Sequence, residues 1–232
     1  MNGRIWLIPV TLGGDDFNKV IPEKVIGLTR QLRFFIVEDV RSARRFLRLI
    51  DKEFPINDSV FYELNEHTGD SDIAHYLEPV WNGSDIGVLS EAGLPGIADP
   101  GARIVALAHQ KRITVTPLSG PSSIVLALIS SGLNGQNFTF NGYLPVKPAE
   151  RSAKLRELEK KAGDGFTQIF METPYRNQKM MESILTTCHN DTLLCIATDI
   201  TLPAESIRTM KISDWKKDLP LLNDKLAVFL IQ

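Results

Sequence analysis

Short apolar runs alternate with longer amphipathic stretches in the first half of the chain. Runs of four to six apolar residues are typical of buried strands, and apolar residues at helical spacing predict amphipathic helices. The predicted strands cover residues 5–10, 33–37, 59–64, 86–89 and 113–117, and the predicted helices 22–32, 42–54, 72–81 and 102–110. This repeated β/α order predicts an α/β fold with a mostly parallel sheet and helices on both faces.

The pattern changes near residue 118, where strands become more frequent. The predicted strands there cover residues 138–143, 166–171, 192–198, 205–212 and 225–231, and the predicted helices 124–131, 149–162 and 175–188. Because this part of the chain has more strand and less helix, we expect a second α/β domain with a mixed sheet. The pattern therefore predicts two α/β domains, residues 1–118 and 119–232.

Composition and charge exclude several classes of function. The chain is 43% hydrophobic and 23% charged, which is typical of a globular protein, and its formal net charge of −2 predicts no nucleic-acid partner unless a local patch supplies one. The 4 His and 2 Cys have no familiar zinc spacing, so no metal is expected. Neither a signal peptide nor an apolar run of about 20 residues is present, which predicts a cytoplasmic protein with no membrane partner.

A glycine-rich segment follows the predicted strand 86–89. It contains Gly93, Pro95, Gly96 and then Asp99-Pro100. Asp99 is a preferred helix N-cap residue, and Pro100 suits the first helical position. Ligands of open α/β sheets bind outside the carboxyl ends of strands, and glycines let the backbone approach a ligand closely. A loop that serves folding alone is the alternative.

A second loop of this kind lies at residues 117–123. Gly120-Pro121 makes a turn, and Ser122-Ser123 leads into the apolar helix 124–131. Peptide N–H groups at a helix N-terminus attract carboxylates. Ser122 or Ser123 can also cap the helix, and the two roles are compatible.

Several segments resemble, in order along the chain, motifs of the tetrapyrrole methylase superfamily. Its S-D-A-G-x-P-G-I-[SA]-D-P-G signature resembles residues 90–101, where Glu91 replaces Asp. Within the superfamily, the branch of ribosomal RNA small-subunit methyltransferase I is the most similar. Its motifs P-L-P-G-P-S-A, F-x-F-x-G-F-L-P, F-Y-E-S-P-H-R, C-E-D-T-R and H-E-H-N resemble residues 117–123, 138–145, 170–176, 37–41 and 65–67.

This resemblance implies an enzyme that uses S-adenosyl-L-methionine and has two α/β domains with the cofactor between them. It also implies a homodimer. For the most similar branch it implies 2′-O-methylation of a cytidine ribose in small-subunit rRNA, within the ribosomal subunit. We expect cofactor contacts from both glycine loops, from the end of the first strand and from a second-domain strand near adenine. These residues are Pro9, Ser90, Glu91, Ala92, Gly93, Pro95, Gly96, Asp99, Pro121, Ser122, Ser123 and Met171.

Departures from the branch concern the methyl acceptor more than the donor. The branch opens with P-T-P-[IL]-G-N, whereas residues 9–14 are Pro-Val-Thr-Leu-Gly-Gly, followed by Asp15 and Asp16. Its T-R-E-[LI]-T-K-x-x-E-E motif is reduced to Thr-Asp-Ile-Thr-Leu-Pro-Ala-Glu at residues 198–205.

A ribose hydroxyl becomes a better nucleophile when a general base takes its proton. His67 and Glu66 are the candidates, because they follow a strand and a histidine titrates near neutral pH. Glu38 and Asp39 are more simply explained by an ion pair with Arg41. The cationic side chains expected to contact RNA phosphates are Arg41, Arg44, Arg45, Arg48, Lys147 and Arg151. A solvated helix face is the alternative interpretation of these charges.

Three functions stay open from the sequence. The first is an RNA ribose 2′-O-methyltransferase, and the second is a methylase of a tetrapyrrole or another small molecule. The third is an RNA-binding module that keeps the cofactor fold without turnover, which the altered residues 9–14 and 198–205 motivate.

Overall fold

The computed structural model describes residues 3–65 and 67–232. The chain forms two compact units, Met1–Ser122 and Ser123–Gln232. Unit 1 extends past residue 118 because the next residues contact its loops: a Cβ on Gly93 would lie 3.3 Å from the Pro121 carbonyl oxygen. Within the described residues, no helix combines the length and apolar character needed to cross a membrane.

The strands of unit 1 form one parallel sheet. They are β1 (Ile5–Ile8), β2 (Phe34–Val37), β3 (Val60–Glu63), β4 (Ile86–Leu89) and β5 (Val115–Pro117). Their order is β3-β2-β4-β1-β5, and every neighbouring pair is parallel. The predicted parallel sheet is confirmed, and β1 lies between β4 and β5.

Helices cover both faces of this sheet. Along β2, Phe35 and Val37 belong to one hydrophobic cluster and Ile36 to another, because successive side chains of a strand point to opposite faces. The helices are α1 (Glu23–Thr29), α2 (Val40–Ile50), α3 (Asp70–His75), α4 (Glu78–Trp81) and α5 (Gly101–Gln110). Residues of α1 and α2 belong to the first cluster, and those of α3, α4 and α5 to the second.

The single helix predicted over residues 72–81 is wrong. The chain forms α3 and α4 instead, with a break before Pro79. A proline inside a helix lacks the N–H for the ladder, and its ring clashes with the preceding turn. Pro79 is therefore accommodated in the first turn of a new helix.

Unit 2 contains the predicted mixed sheet, which is confirmed. Its strands are β6 (Phe138–Tyr143), β7 (Thr167–Met171), β8 (Leu193–Thr198), β9 (Ser206–Lys211) and β10 (Ala227–Ile231), in the order β6-β7-β10-β8-β9. The β6–β7 pair is parallel and the other pairs are antiparallel.

The helices of unit 2 are α6 (Ser123–Ser131), α7 (Pro148–Gly163), α8 (Asn177–Thr187) and α9 (Ile212–Trp215). One hydrophobic cluster joins α7, α8 and α9 to the sheet. It includes the fully buried Phe170 and Phe229, whose rings stack with their centroids 5.7 Å apart. Cys188 and Cys195 are buried free thiols, and burial raises the pKa of Cys188 to about 12.

Candidate functional site

Three loops of unit 1 meet at the carboxyl ends of the neighbouring strands β4, β1 and β5. The Val10 N–H after β1 donates to the Gly93 carbonyl after β4 at 2.9 Å. Gly93 has a φ of +71°, and a Cβ there would lie 3.3 Å from the carbonyl oxygen of Pro121 after β5. The glycine permits both the left-handed backbone and this close contact.

Gly120 lets the loop after β5 approach the end of β1. A Cβ at this position would lie 2.1 Å from the Pro9 Cβ, far inside van der Waals contact. Pro9, Pro95 and Pro121 are themselves buried. These prolines, all predicted cofactor contacts, therefore pack the base of the site.

Asp99 determines the shape of the loop after β4. One carboxylate oxygen accepts the Gly96 N–H at 2.8 Å, and the other accepts the Gly101 N–H in the first turn of α5. The helix begins at Gly101 with Pro100 in the N-cap position, so the predicted cap acts from one residue earlier. Burial raises the pKa of Asp99, and its two peptide N–H donors oppose that rise.

We call residues 90–98 the donor loop, and its backbone fits the cofactor that the sequence resemblance implies. Within residues 3–65 and 67–232, the peptide N–H groups of Ala92, Gly93 and Leu94 have no hydrogen-bond partner. Glu91, Ala92 and Gly96 are exposed. The carboxylate and ribose hydroxyls of S-adenosylmethionine need such donors and acceptors. The Gly96 N–H is not among them, because Asp99 already binds it.

Three carboxylates lie near one another at this edge of the sheet. Glu38 follows β2 and accepts the peptide N–H of Glu91. Burial raises the pKa of Glu38, and the negative charges of Glu91 and Asp99 raise it further. The Glu91 carboxylate accepts a long hydrogen bond from the Ser42 hydroxyl, at 3.4 Å. Asp39 forms no ion pair with Arg41; its carboxylate caps α2 by accepting the Ser42 N–H at 2.7 Å, which lowers its pKa.

A groove of about 530 Å³ runs from the donor loop along α2. Apolar side chains and charged ones both line it. They are Val10, Ala43, Phe46 and Leu49 on the apolar side, and Thr11, Asp15, Ser42, Arg45, Arg48, Ser90 and Glu91 on the polar side. Gly13 and Gly14, in the segment where the sequence departs from the most similar branch, complete the lining.

The basic side chains predicted to contact RNA differ in their surroundings. On α2, Arg41, Arg44, Arg45 and Arg48 are exposed. The Arg44 guanidinium lies 5.2 Å from the Phe61 ring centroid, and Arg48 donates to the Lys52 carbonyl. Arg45 and Arg48 line the groove.

The two side chains of unit 2 that were predicted to contact RNA both have partners within the protein. Lys147 is exposed and pairs with Glu150 at 3.1 Å. Arg151 is only 6% exposed, and its guanidinium donates to the Ser183 hydroxyl and the Val146 carbonyl, both at 2.9 Å. Arg151 thus has little surface from which to reach a phosphate.

His67 lies in the loop after β3, exposed, and its N–H donates to the Asn65 side chain at 2.9 Å. Glu66, the other predicted general base, lies outside the described residues. Strands β3 and β2 are parallel neighbours, so the loop after β3 and Glu38 lie at the same edge of the sheet.

The remaining predicted cofactor contacts lie in or beside unit 2. Ser122 is 9% exposed and ends unit 1, and Ser123 begins α6. Met171 is half-buried at the end of β7, next to the buried core residue Phe170.

The sequence did not single out the arrangement that follows Met171. Glu172 is buried, and one of its carboxylate oxygens accepts from Arg176 and from the Thr173 N–H at 2.7 Å. Its other oxygen has no hydrogen-bond partner among the described residues. The spacing of four residues does not by itself predict this pair, because Glu172 precedes the short 3-10 helix Pro174–Arg176 and the i, i+4 rule applies within α-helices.

Comparison with known proteins identifies similar methyltransferases. The sequence profile of the tetrapyrrole (corrin/porphyrin) methylases matches residues 21–215. Three similar proteins are each named ribosomal RNA small subunit methyltransferase I. The Vibrio cholerae protein is 28% identical over 90% of this chain and 69% of its own length. The Xylella fastidiosa protein is 31% identical over 78% and 63%, and the Pseudomonas aeruginosa protein 25% over 92% and 73%.

Two solved structures share the fold. The methyltransferase CobJ is superposed with a TM-score of 0.64 at 16% identity, over 99% of this chain and 93% of its own. A cobalamin biosynthetic enzyme, cobalt precorrin-4 methyltransferase, has a TM-score of 0.61 at 16% identity, over 98% and 94%.

Proposed function

This chain belongs to the tetrapyrrole (corrin/porphyrin) methylase family and is an S-adenosyl-L-methionine-dependent methyltransferase; from that premise we propose that its acceptor is a cytidine ribose 2′-hydroxyl of small-subunit rRNA. Similarity to three proteins named ribosomal RNA small subunit methyltransferase I supports this acceptor. We further propose that the protein works in the cytoplasm as a homodimer.

The observation that carries the proposal is the groove beside α2. It begins at Ser90 and Glu91 of the donor loop and continues past Arg45 and Arg48. Guanidinium groups bind phosphate oxygens, and the partly exposed Leu49 gives the same groove an apolar surface for a base. An acceptor with a phosphate backbone and exposed bases combines these two requirements.

Bound S-adenosylmethionine supplies an electrophilic methyl group on a sulfonium sulfur. In our proposal, the donor loop binds its polar groups through the free N–H groups of Ala92, Gly93 and Leu94. Ser90, Glu91, Pro121, Ser122, Ser123 and Met171 complete the proposed contacts, while Pro9, Pro95, Gly96 and Asp99 hold the loops in shape. Holding two reactants in line is the main contribution that a protein makes to such a transfer.

When the acceptor oxygen bonds to the methyl carbon, the bond from that carbon to sulfur would break, S-adenosylhomocysteine would leave as a neutral thioether, and the hydroxyl proton would need an acceptor. We assign that proton to His67, because histidine is the side chain that most often serves as a general base. Glu66 keeps the same proposed role from its sequence position. Arg41, Arg44, Arg45, Arg48 and Lys147 form the proposed RNA contact set, and Arg151 is left out because it is buried.

The test is transfer of a labelled methyl group to small ribosomal subunits, followed by alkaline hydrolysis. A 2′-O-methyl ribose blocks cleavage of the following phosphodiester, so the label is expected in an alkali-resistant dinucleotide. Label in an alkali-sensitive mononucleotide would contradict ribose methylation. Transfer to an added porphyrinogen, with none to RNA, would favour a tetrapyrrole acceptor.

A charge variant tests the groove itself. R45Q/R48Q removes two groove cations and is expected to weaken RNA binding by about 10- to 100-fold and to reduce the salt dependence of binding. R156Q/K160Q removes two exposed cations from α7 and is the matched control, with RNA affinity unchanged. Equal RNA affinity of the two variants would contradict the groove as the RNA contact.

A further inference from the structure

We propose that Arg103 is a positioning residue that holds the loop after β3, here called the β3 loop, against α5, the helix that follows the donor loop. This inference rests on the proposed function, in which the β3 loop carries the general base His67. Arg103 lies in the first turn of α5, half-buried. Its guanidinium donates to the Thr68 carbonyl at 2.8 Å and to the Asn65 carbonyl at 3.4 Å. One side chain therefore joins two carbonyls that flank His67.

The position of Arg103 in α5 is explained by this loop and not by the helix. The N-terminus of a helix carries partial positive charge, which disfavours a cation in the first turn. Two carbonyl oxygens of the β3 loop supply the negative partial charges that offset this cost. A planar guanidinium can donate to two acceptors at once in a fixed geometry, which a lysine ammonium on a flexible stem does less well.

Hydrogen bonds within the β3 loop determine its shape but not its position. The Asn65 side chain accepts the His67 N–H at 2.9 Å, and the Thr68 hydroxyl accepts the Asn65 N–H at 2.9 Å. Both of these bonds join residues of the loop to each other. The two bonds from Arg103 join the loop to α5.

The same helix is attached to the donor loop through Asp99. Its carboxylate binds the Gly96 N–H in the loop and the Gly101 N–H two residues before Arg103. A continuous set of hydrogen bonds thus runs from the donor loop through Asp99 and α5 to the loop that carries His67. In this arrangement Arg103 fixes the proposed base relative to the donor loop.

Hydrogen–deuterium exchange tests the attachment without any need for activity. R103K is expected to raise hydrogen exchange of the peptide amides after β3 by about 10-fold. The lysine holds the loop less well than the guanidinium does, so the loop opens locally more often. K111Q, at the other end of α5, removes an exposed cation and is the matched control. Unchanged exchange after β3 in R103K would overturn the proposal.

Kinetics test the functional consequence. In R103K, kcat for methyl transfer is expected to fall about 10- to 100-fold, since small misplacement of a catalytic group has effects of this size. The affinity for S-adenosylhomocysteine, measured by calorimetry, is expected to stay within about 2-fold. R103A should regain part of its kcat on addition of guanidinium ion, and a general loss of folding would allow no such rescue.

The outcomes separate this inference from the proposed function. A wild-type protein that methylates no RNA overturns the proposed acceptor, while the exchange experiment still decides whether Arg103 holds the loop. A wild-type protein that methylates RNA, with R103K equally fast and equally protected, overturns only the role of Arg103.

Discussion

Asp99 illustrates how a single side chain shapes the candidate site. The sequence predicts it as a helix cap, and its carboxylate does bind the Gly101 N–H. Its second bond, to the Gly96 N–H, removes one backbone donor from those available to a ligand. Local sequence preference identified the cap, whereas only the folded loop brings the Gly96 amide to the same carboxylate.

Glu38 is the residue whose charge depends most on its neighbours at this edge of the sheet. Its pKa is raised above 4.5, first by burial and then by the charges of Glu91 and Asp99. A carboxyl group with a raised folded-state pKa favours folding while it is protonated, and that contribution is lost as pH rises through the folded-state pKa.

In E38Q the side chain at position 38 is neutral at every pH, and its amide oxygen can still accept the Glu91 N–H. We expect E38Q to gain thermal stability relative to the wild type as the pH rises from about 4 to about 8. Thermal unfolding across this range measures the difference. The control is Glu53→Gln, which replaces an exposed carboxylate. A stability difference between E38Q and the wild type that does not shift in favour of E38Q as the pH rises would contradict the prediction.

At the scale of elements, α2 and α7 place their basic residues differently. The arginines of α2 are exposed, and Arg45 and Arg48 line the groove, as an RNA contact requires. On α7, Arg151 points into unit 2 instead. Sequence spacing does not distinguish an exposed arginine from a buried one on a helix, because the long side chain suits either a solvated or a packed position.

Arg151→Ala is expected to lower the free energy of unfolding by about 2–4 kcal/mol, since two hydrogen bonds from a buried cation are lost. Denaturant unfolding measures the loss, and RNA affinity of the folded variant should equal that of the wild type. Arg156→Ala, on the exposed part of the same helix, is the control and should change stability little. A stable R151A variant with weakened RNA binding would restore Arg151 to the contact set.

At the scale of the whole molecule, the chain combines two units with separate hydrophobic cores. Unit 1 has a cluster on each face of its parallel sheet, and unit 2 has a cluster formed by α7, α8, α9 and its mixed sheet. The donor loop belongs to unit 1 and Met171 to unit 2. A ligand that binds the native donor loop and not the unfolded chain stabilises the native state.

S-adenosylhomocysteine at about 100 times its Kd is expected to stabilise the native protein by about 2.7 kcal/mol. For a chain of this size the melting temperature should rise by about 5–10 °C. Differential scanning calorimetry measures the rise, and 5′-methylthioadenosine, which lacks the amino-acid portion, should give a smaller one at equal concentration. Equal effects of the two compounds would contradict binding of the carboxylate by the donor loop.

Much of the fold could be predicted from local pattern. Strand β6 has the predicted bounds, and the apolar runs identified β2 and β4 because each strand is buried on both faces. The division of the helix predicted over residues 72–81 was missed, although Pro79 is the residue that explains it. The glycine loop was found because Gly93 and Asp99 have conformational preferences that act locally.

The sequence by itself determined the class of fold, the family and the donor loop, since neighbouring residues and motif order carry that information. Only the tertiary structure decided that Gly120 packs on Pro9, that Arg151 is buried and that Arg103 reaches the carbonyls beside His67. For Gly120 the physical reason is strand order: β1 lies between β4 and β5, which brings the loops after β1 and β5 together. Arg103 and Arg151 depend on how each helix packs, which sequence spacing alone does not specify. Local periodicity specifies each strand but not its neighbours.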